Sequence, residues 1–223
     1  MSETWKIPVG DAETSAVFEP ADDSPNAPVF VCAHGAGGNK DDRGVVALSK
    51  ALRARGLSVV RFNFLYREKK KGSPDPMPRL QQCFAAVVER TREEVQPKTL
   101  IIGGRSMGGR AASMMAAENF NCDGLLLFAY PLHPPGHPEK LRDAHLPSIT
   151  VPVLCFNGTR DPFITRDLME SALKKVKTQW EMHWVEGADH SFHVLKSSGK
   201  TDAQVLEEMA ETTKAWVTKI SRI

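Results

Sequence analysis

Residues 99–118 read TLIIGGRSMGGRAASMMAAE. An apolar run ends in two glycines, a serine stands between Gly104 and Gly108 in the order G-x-S-x-G, and small residues follow at once. This order predicts a buried strand, a sharp turn and a helix, with Ser106 presented by the turn as a nucleophile. Two other interpretations stay open: a cap at the start of the helix, or a phosphate-binding turn. The Lys-Ser or Lys-Thr pair of a P-loop is absent from this stretch.

Short apolar runs alternate with helix-period segments from residue 28 to residue 220. Such alternation predicts a mostly parallel sheet covered on both faces by helices, a three-layer α/β/α sandwich. Two alternating segments at the start, TWKIPV and TSAVFEP, predict an antiparallel hairpin beside that sheet. Three prolines between residues 65 and 78 argue against regular structure there. Because no linker or internal repeat divides the chain, we expect a single domain over residues 1–223.

A serine hydroxyl needs a base within hydrogen-bond distance to act as a nucleophile near neutral pH. His190 follows the last predicted strand, in EGADHSF, and His193 is the alternative base. Asp161 follows the preceding strand, in NGTRDPF, and is the candidate carboxylate that orients the imidazole. Asp189 is expected to shape its own loop through an Asx turn. Since parallel strands end at one edge of a sheet, Ser106, Asp161 and His190 are expected to converge.

Two backbone amides are candidates for binding the oxyanion of an acyl-transfer reaction. Met107 follows the serine directly, and Ala36 lies in the glycine-rich HGAGG loop after the first parallel strand. His34 is expected to brace that loop, and no role is assigned to Arg105. Five bulky residues on loops at the same edge are candidates to shape a substrate pocket, with ordinary loop packing as the alternative: Phe64, Tyr66, Leu132, His133 and Phe163.

Together these motifs resemble the α/β-hydrolase superfamily, in particular its compact dienelactone-hydrolase-like branch. The segments that carry the resemblance are HGAGG, RFNF, GGRSMGGR, YPLHPPGHPEKLRD, GTRDPF and EGADHSF. They are similar to a subgroup that includes testis-expressed protein 30 and the hydrolase-like domain of the non-specific-lethal complex subunit 3. The resemblance implies one domain without a large lid and a triad of Ser106, Asp161 and His190. Dienelactone hydrolases have a cysteine where this chain has serine, so their substrate is not carried over.

Composition and charge argue against several other classes of protein. Hydrophobic residues make up 41% and charged residues 25% of the chain, and the formal net charge of +2 gives no basis for binding nucleic acid. The sequence shows no signal peptide and no apolar run of about 18 residues that would suggest a membrane span. Four widely spaced cysteines are typical of a reduced, cytoplasmic protein. No cofactor and no metal are expected, and the oligomeric state is left open.

The expected function is hydrolysis of a small carboxylic ester or thioester, with a small acyl compound as the partner. Two alternatives stay open. The fold could serve as a non-catalytic binding or scaffold module, because fold alone does not establish function. The same residues could also cleave a small amide or peptide. The presence of serine, histidine, aspartate and the flanking glycines favours an enzyme.

Overall fold

One sheet of eight strands forms the centre of the computed structural model, which describes residues 2–22 and 27–221. The strands are β1 (Glu3–Val9), β2 (Ala12–Glu19), β3 (Val29–Ala33), β4 (Ser58–Phe62), β5 (Leu100–Arg105), β6 (Gly124–Phe128), β7 (Val153–Gly158) and β8 (Trp180–Val185). Their order across the sheet is β1-β2-β4-β3-β5-β6-β7-β8. Strands β3 to β8 run parallel, whereas β1 and β2 form an antiparallel hairpin that joins β4. The predicted sheet and hairpin are confirmed.

Helices cover both faces of this sheet. They are α1 (Arg43–Arg53), α2 (Leu65–Glu68), α3 (Met77–Val95), α4 (Met107–Ala117), α5 (Arg166–Leu173) and α6 (Asp202–Ile220). Helices α3, α4 and α5 pack on one face, and α1 and α6 pack on the other. The chain therefore has the three layers that the alternating pattern predicts.

Strand β3 shows why its sequence is apolar throughout. Successive side chains of a strand point to opposite faces of the sheet, and both faces here are covered. Val29, Val31 and Ala33 join the core under α3 and α4, whereas Phe30 and Cys32 join the core under α1 and α6. All five residues are buried, which explains why the run is apolar.

The parallel strands end at one edge of the sheet. The loops that follow them form the surface on which the candidate site residues lie. The connection from β6 to β7, residues 129–152, contains a single short 3-10 turn at Leu146–Ser148 and no lid domain. None of the described helices combines the length and the apolar character needed to cross a membrane.

Candidate active site

Ser106 occupies a sharp turn between β5 and α4, with φ of 51° and ψ of −116°. Its amide donates to the Phe128 carbonyl at the end of β6 (2.8 Å), which anchors the turn to the sheet. A Cβ on Gly104 would collide with the Ala33 carbonyl, and one on Gly108 would lie 2.6 Å from the same oxygen. The flanking glycines are therefore required because the backbones of β3, β5 and α4 approach each other at this turn.

The three side chains selected from the sequence meet in front of this turn. His190 Nε2 lies 3.0 Å from Ser106 Oγ, and His190 Nδ1 lies 2.7 Å from Asp161 Oδ2. A carboxylate at Nδ1 keeps the proton on that nitrogen, which leaves Nε2 to accept the serine proton. His193, the alternative base, is not part of this group, because its Nδ1 contacts Asp202 on the surface at 2.6 Å.

Asp161 is held in place by a buried polar network. Its carboxylate has no exposed surface and accepts hydrogen bonds from the Phe163 amide (2.9 Å) and from Asn157 Nδ2 (3.3 Å). Asn157 is itself fixed by the backbone of Tyr130, whose amide donates to its Oδ1 at 3.2 Å. These donors offset the cost of burying the carboxylate. Asn157 was not predicted to be a site residue, although an asparagine inside the apolar strand VLCFNG stands out in the sequence.

Arg105 fixes the loop that carries His190. Its guanidinium donates to the His190 carbonyl at 3.1 Å and to Ser191 Oγ at 2.8 Å. Asp189 shapes the same loop as expected, since its Oδ1 accepts from the amides of Ser191 (2.7 Å) and His193 (3.0 Å). Arg105, the residue before the serine, thus holds the backbone of His190. This role could not be predicted from the sequence alone.

Met107 and Ala36, the two residues with candidate oxyanion amides, both border the cavity in front of the serine. Met107 is the first residue of α4, so its N–H has no acceptor within the helix, and the positive end of the helix dipole lies there. Tyr66 holds the glycine-rich loop that carries Ala36, because its hydroxyl donates to the Ala36 carbonyl at 2.6 Å. Met107 and Ala36 therefore remain the candidate amide donors beside Ser106.

His34 braces the glycine-rich loop and is completely buried. Its Nε2 accepts from the Phe64 amide at 3.1 Å, which leaves Nδ1–H to donate to the Gly35 carbonyl at 2.7 Å. Burial lowers the pKa of His34 to about 4, so the ring is neutral at pH 7. A neutral ring satisfied on both nitrogens is a structural support and has no free position for base catalysis.

The cavity at the serine has a volume of about 540 Å³. Its walls include the loop residues 35–38, Phe163, His190 and three arginines at positions 105, 110 and 142. The Phe163 ring lies 4.4 Å from the His190 ring, measured between centroids. Phe163 is thus the member of the five proposed pocket residues that borders the cavity.

The other four proposed pocket residues are buried and do not border the cavity, which favours the alternative of ordinary loop packing. Phe64 and Tyr66 are fully buried and pack against His34, with ring centroids 5.1 and 5.9 Å away. Leu132 is fully buried, and the buried His133 donates its amide to the Phe163 carbonyl at 3.0 Å. Apolar and aromatic groups next to a strand end are drawn into the core, so they support the loops that form the pocket.

A second serine–histidine contact lies deeper in the same region. Ser113 Oγ is 2.8 Å from His145 Nε2 and also donates to the Arg110 carbonyl at 2.8 Å. Ser113 is buried in the interior of α4, and burial, aided by the charge of Arg110, lowers the pKa of His145 to about 4. The pair attaches the 129–152 connection to α4. It lies outside the sharp turn, and neither residue is among those that border the cavity.

Metal-binding clusters of three or more His, Cys, Asp or Glu side chains do not occur in the described part of the chain. The four cysteines are free and buried. Burial raises the pKa of the thiols of Cys32, Cys83 and Cys122 to about 12, and it raises that of Cys155 further. Thiols in this state are weak nucleophiles, so they offer no alternative to the serine.

Solved structures share this fold over nearly the whole chain. Est1E from Butyrivibrio proteoclasticus, also solved with ferulic acid bound, has a TM-score of 0.78 at 16% identity, with 99% of each chain covered. A serine hydrolase without a lid from Xanthomonas campestris has a TM-score of 0.74 at 21% identity, over 96% of this chain and 94% of that one. The dienelactone hydrolase from Anabaena variabilis has a TM-score of 0.75 at 19% identity, over 98% and 97%.

At these identities the structural neighbours show only the fold. The assignment to a family comes from the sequence. A family model described as an alpha/beta hydrolase domain matches residues 26–218. The matched range contains every parallel strand, the glycine-flanked serine turn and the loops that carry Asp161 and His190. This chain belongs to the alpha/beta hydrolase family.

Proposed function

We propose that this chain is a serine hydrolase that cleaves a small carboxylic ester or thioester through an acyl-enzyme on Ser106. The observation that carries the proposal is the distance of 3.0 Å between His190 Nε2 and Ser106 Oγ, beside an open cavity. His190 is held on its other nitrogen by the buried Asp161. An imidazole oriented in this way accepts the serine proton as the hydroxyl attacks.

The reaction proceeds in two halves. Ser106 Oγ attacks the carbonyl carbon while its proton moves to His190 Nε2, and a tetrahedral oxyanion forms. The oxyanion collapses, the bond to the alcohol or thiol breaks, and His190 returns the proton to that leaving group. Water then attacks the acyl-enzyme with His190 again as base, and the carboxylic acid leaves as Ser106 recovers its proton. Asp161 keeps its contact with His190 Nδ1 and favours the imidazolium.

The oxyanion is stabilised by the amides of Met107 and Ala36 in this scheme. The N-terminus of α4 adds a favourable dipole at the same point. Loss of one such donor costs roughly 10²–10³ in kcat in serine hydrolases. The Tyr66 hydroxyl, which holds the Ala36 carbonyl at 2.6 Å, keeps the second amide in position without touching the substrate.

The names of the structural neighbours support ester chemistry. Est1E has been solved with ferulic acid, and carboxylic acids are the products that ester hydrolysis releases. A lactone, the substrate class in the name of the Anabaena variabilis neighbour, is a cyclic ester. The absence of a lid from the 129–152 connection leaves the cavity open to a small substrate.

Three finer points belong to the same proposal. The chain is a member of the subgroup with testis-expressed protein 30, on the strength of the motifs GGRSMGGR, GTRDPF and EGADHSF. It works in the cytoplasm, in keeping with four free, buried thiols. It acts as one domain, since a single sheet joins all eight strands.

Steady-state hydrolysis of 4-nitrophenyl acetate tests the proposal. Ser106→Ala and His190→Ala are each expected to lower kcat by roughly 10⁴-fold or more while the circular dichroism spectrum is unchanged. The matched controls are Ser113→Ala and His145→Ala, which disrupt the other serine–histidine contact and are expected to keep activity within about threefold. Loss of activity in the controls with retention in Ser106→Ala would contradict the proposal. A fully active His190→Ala variant would also do so.

A further inference from the structure

Two arginines border the cavity from different elements. Arg110 lies one helical turn after Ser106, and its amide donates to the Ser106 carbonyl at 3.0 Å. Side chains on a helix lean toward its N-terminus, so the Arg110 stem leans back toward the serine. Arg142 lies on the 129–152 connection, where its amide donates to the Leu132 carbonyl at 2.8 Å. Both residues contribute to the cavity wall.

Neither guanidinium forms an ion pair or a side-chain hydrogen bond with any group in residues 2–22 or 27–221. The Nε atom of Arg110 is buried without a partner within those ranges. This differs from Arg105, whose donors are used by the His190 loop. Buried N–H donors are costly when unpaired, and a guanidinium presents five of them.

The two charges also act on each other. Burial lowers the pKa of Arg142, and the positive charge of Arg110 lowers it further. Among the groups beside them, Tyr130 is a neutral phenol and His145 is a neutral imidazole at pH 7, so neither compensates the positive charges. The carboxylate of Asp143 acts on His145 but forms no ion pair with either arginine. Asp42 is the carboxylate on the cavity wall, and it accepts from the amide and side chain of Asn39. Like charges that form no ion pair with a neighbouring carboxylate favour an anion between them.

We propose that Arg110 and Arg142 form a subsite for a carboxylate, so that the substrate is an ester that carries a second, ionised carboxyl group. The inference rests on the proposed ester hydrolysis at Ser106. Guanidinium groups match carboxylates in geometry and bind them through paired hydrogen bonds. A volume of about 540 Å³ accommodates a short dicarboxylic acid monoester.

Two matched pairs of esters test this subsite. The first pair places the charge on the acyl side: mono-4-nitrophenyl adipate against 4-nitrophenyl hexanoate. The second places it on the leaving group: 4-acetoxybenzoate against methyl 4-acetoxybenzoate. In at least one pair the anionic ester is expected to have a kcat/KM about 10-fold higher, and its advantage is expected to shrink as salt is raised. Rates with Ser106→Ala supply the non-enzymatic background.

Variants assign the effect to the arginines. Arg110→Gln and Arg142→Gln are each expected to lower kcat/KM for the preferred anionic ester about 10-fold more than for its neutral partner. The change is expected mainly in KM, and Arg142→Lys is expected to restore part of it. Lys98→Gln, which removes an exposed charge just before β5 at the opposite edge of the sheet, is the control and should leave both esters unaffected.

Each outcome decides between the two proposals. If neutral esters are hydrolysed through Ser106 but neither anionic ester is preferred, the subsite is wrong and the proposed function stands. A preference that persists unchanged in both glutamine variants also overturns the subsite. If no ester of either kind is hydrolysed, the proposed function fails, and the subsite fails with it.

Discussion

Arg105 and His190 are 85 residues apart in the chain, yet the Arg105 guanidinium donates to the His190 carbonyl at 3.1 Å. Arg105 is the last residue of β5 and directly precedes Ser106. The proposed nucleophile and the proposed base are therefore linked through backbone and side chain as well as through their own contact. This link makes Arg105 a positioning residue for His190.

Replacement of Arg105 by methionine tests that role. Arg105→Met keeps the aliphatic stem but removes both donors to the His190 loop, so we expect kcat/KM for 4-nitrophenyl acetate to fall about 10-fold. Ser191→Ala removes one of the two contacts and leaves the one to His190, so a change within about twofold is expected. Equal activity in Arg105→Met and the wild type would show that the loop holds its position without the arginine.

Asp161 and Asp189 provide a matched pair of carboxylates around His190. Asp161→Asn preserves shape but alters the partner of His190 Nδ1, and we expect kcat to fall by roughly 10³–10⁴-fold. Asp189→Asn keeps the side-chain oxygen that accepts from the amides of Ser191 and His193. Its kcat should therefore stay within about twofold of the wild type. The reverse order of effects would assign the orienting acid to Asp189.

The turn at Ser106 makes a prediction about stability. A Cβ at Gly104 would collide with the Ala33 carbonyl, and Gly104 has a φ of 141°. Gly104→Ala is expected to lower the free energy of unfolding by about 3 kcal/mol or more. Gly37→Ala is the control, because no heavy atom lies within 4 Å of the position that its Cβ would take, and its effect should stay within about 0.5 kcal/mol. Urea denaturation measures both, and similar midpoints would refute the tight packing.

The buried His34 makes stability depend on pH. Its pKa is lowered to about 4 by burial, against 6.5 for an ordinary histidine, so the unfolded chain binds the proton more readily. The neutral His34 therefore contributes its full share to the free energy of unfolding above pH 6.5. This contribution is lost as the pH falls from 6.5 to 4, because the unfolded chain takes up the proton first. Between pH 7 and pH 5 the free energy of unfolding should fall by on the order of 2 kcal/mol from this group. His34→Gln should show a smaller pH slope, and an identical slope would contradict the assignment.

Much of the fold could be predicted because the chain alternates cleanly between apolar strands and amphipathic helices. Continuous burial on both faces explains why strands such as β3 were recognisable. The structure of the proline-rich segment between residues 65 and 78 was harder to predict. Leu65–Glu68 form a helical turn there, because Leu65 and Tyr66 are buried against the core and outweigh the nearby prolines.

The site was predictable to the extent that it depends on strand ends. Ser106, Asp161 and His190 each follow a parallel strand, so the topology alone brings them to one edge. Side-chain direction does not follow from this placement. Phe64 and Tyr66 also follow a strand, yet they turn into the core, while Arg110 and Arg142 reach the cavity from a helix and a long connection.

The most direct test of the proposed nucleophile is the site of covalent labelling by a fluorophosphonate, read by mass spectrometry of peptides from the intact, folded protein. We expect one phosphonylated residue, Ser106, with labelling abolished in Ser106→Ala and slowed strongly in His190→Ala. Labelling of Ser113 instead, or no labelling of a folded wild-type protein, would contradict the central claim.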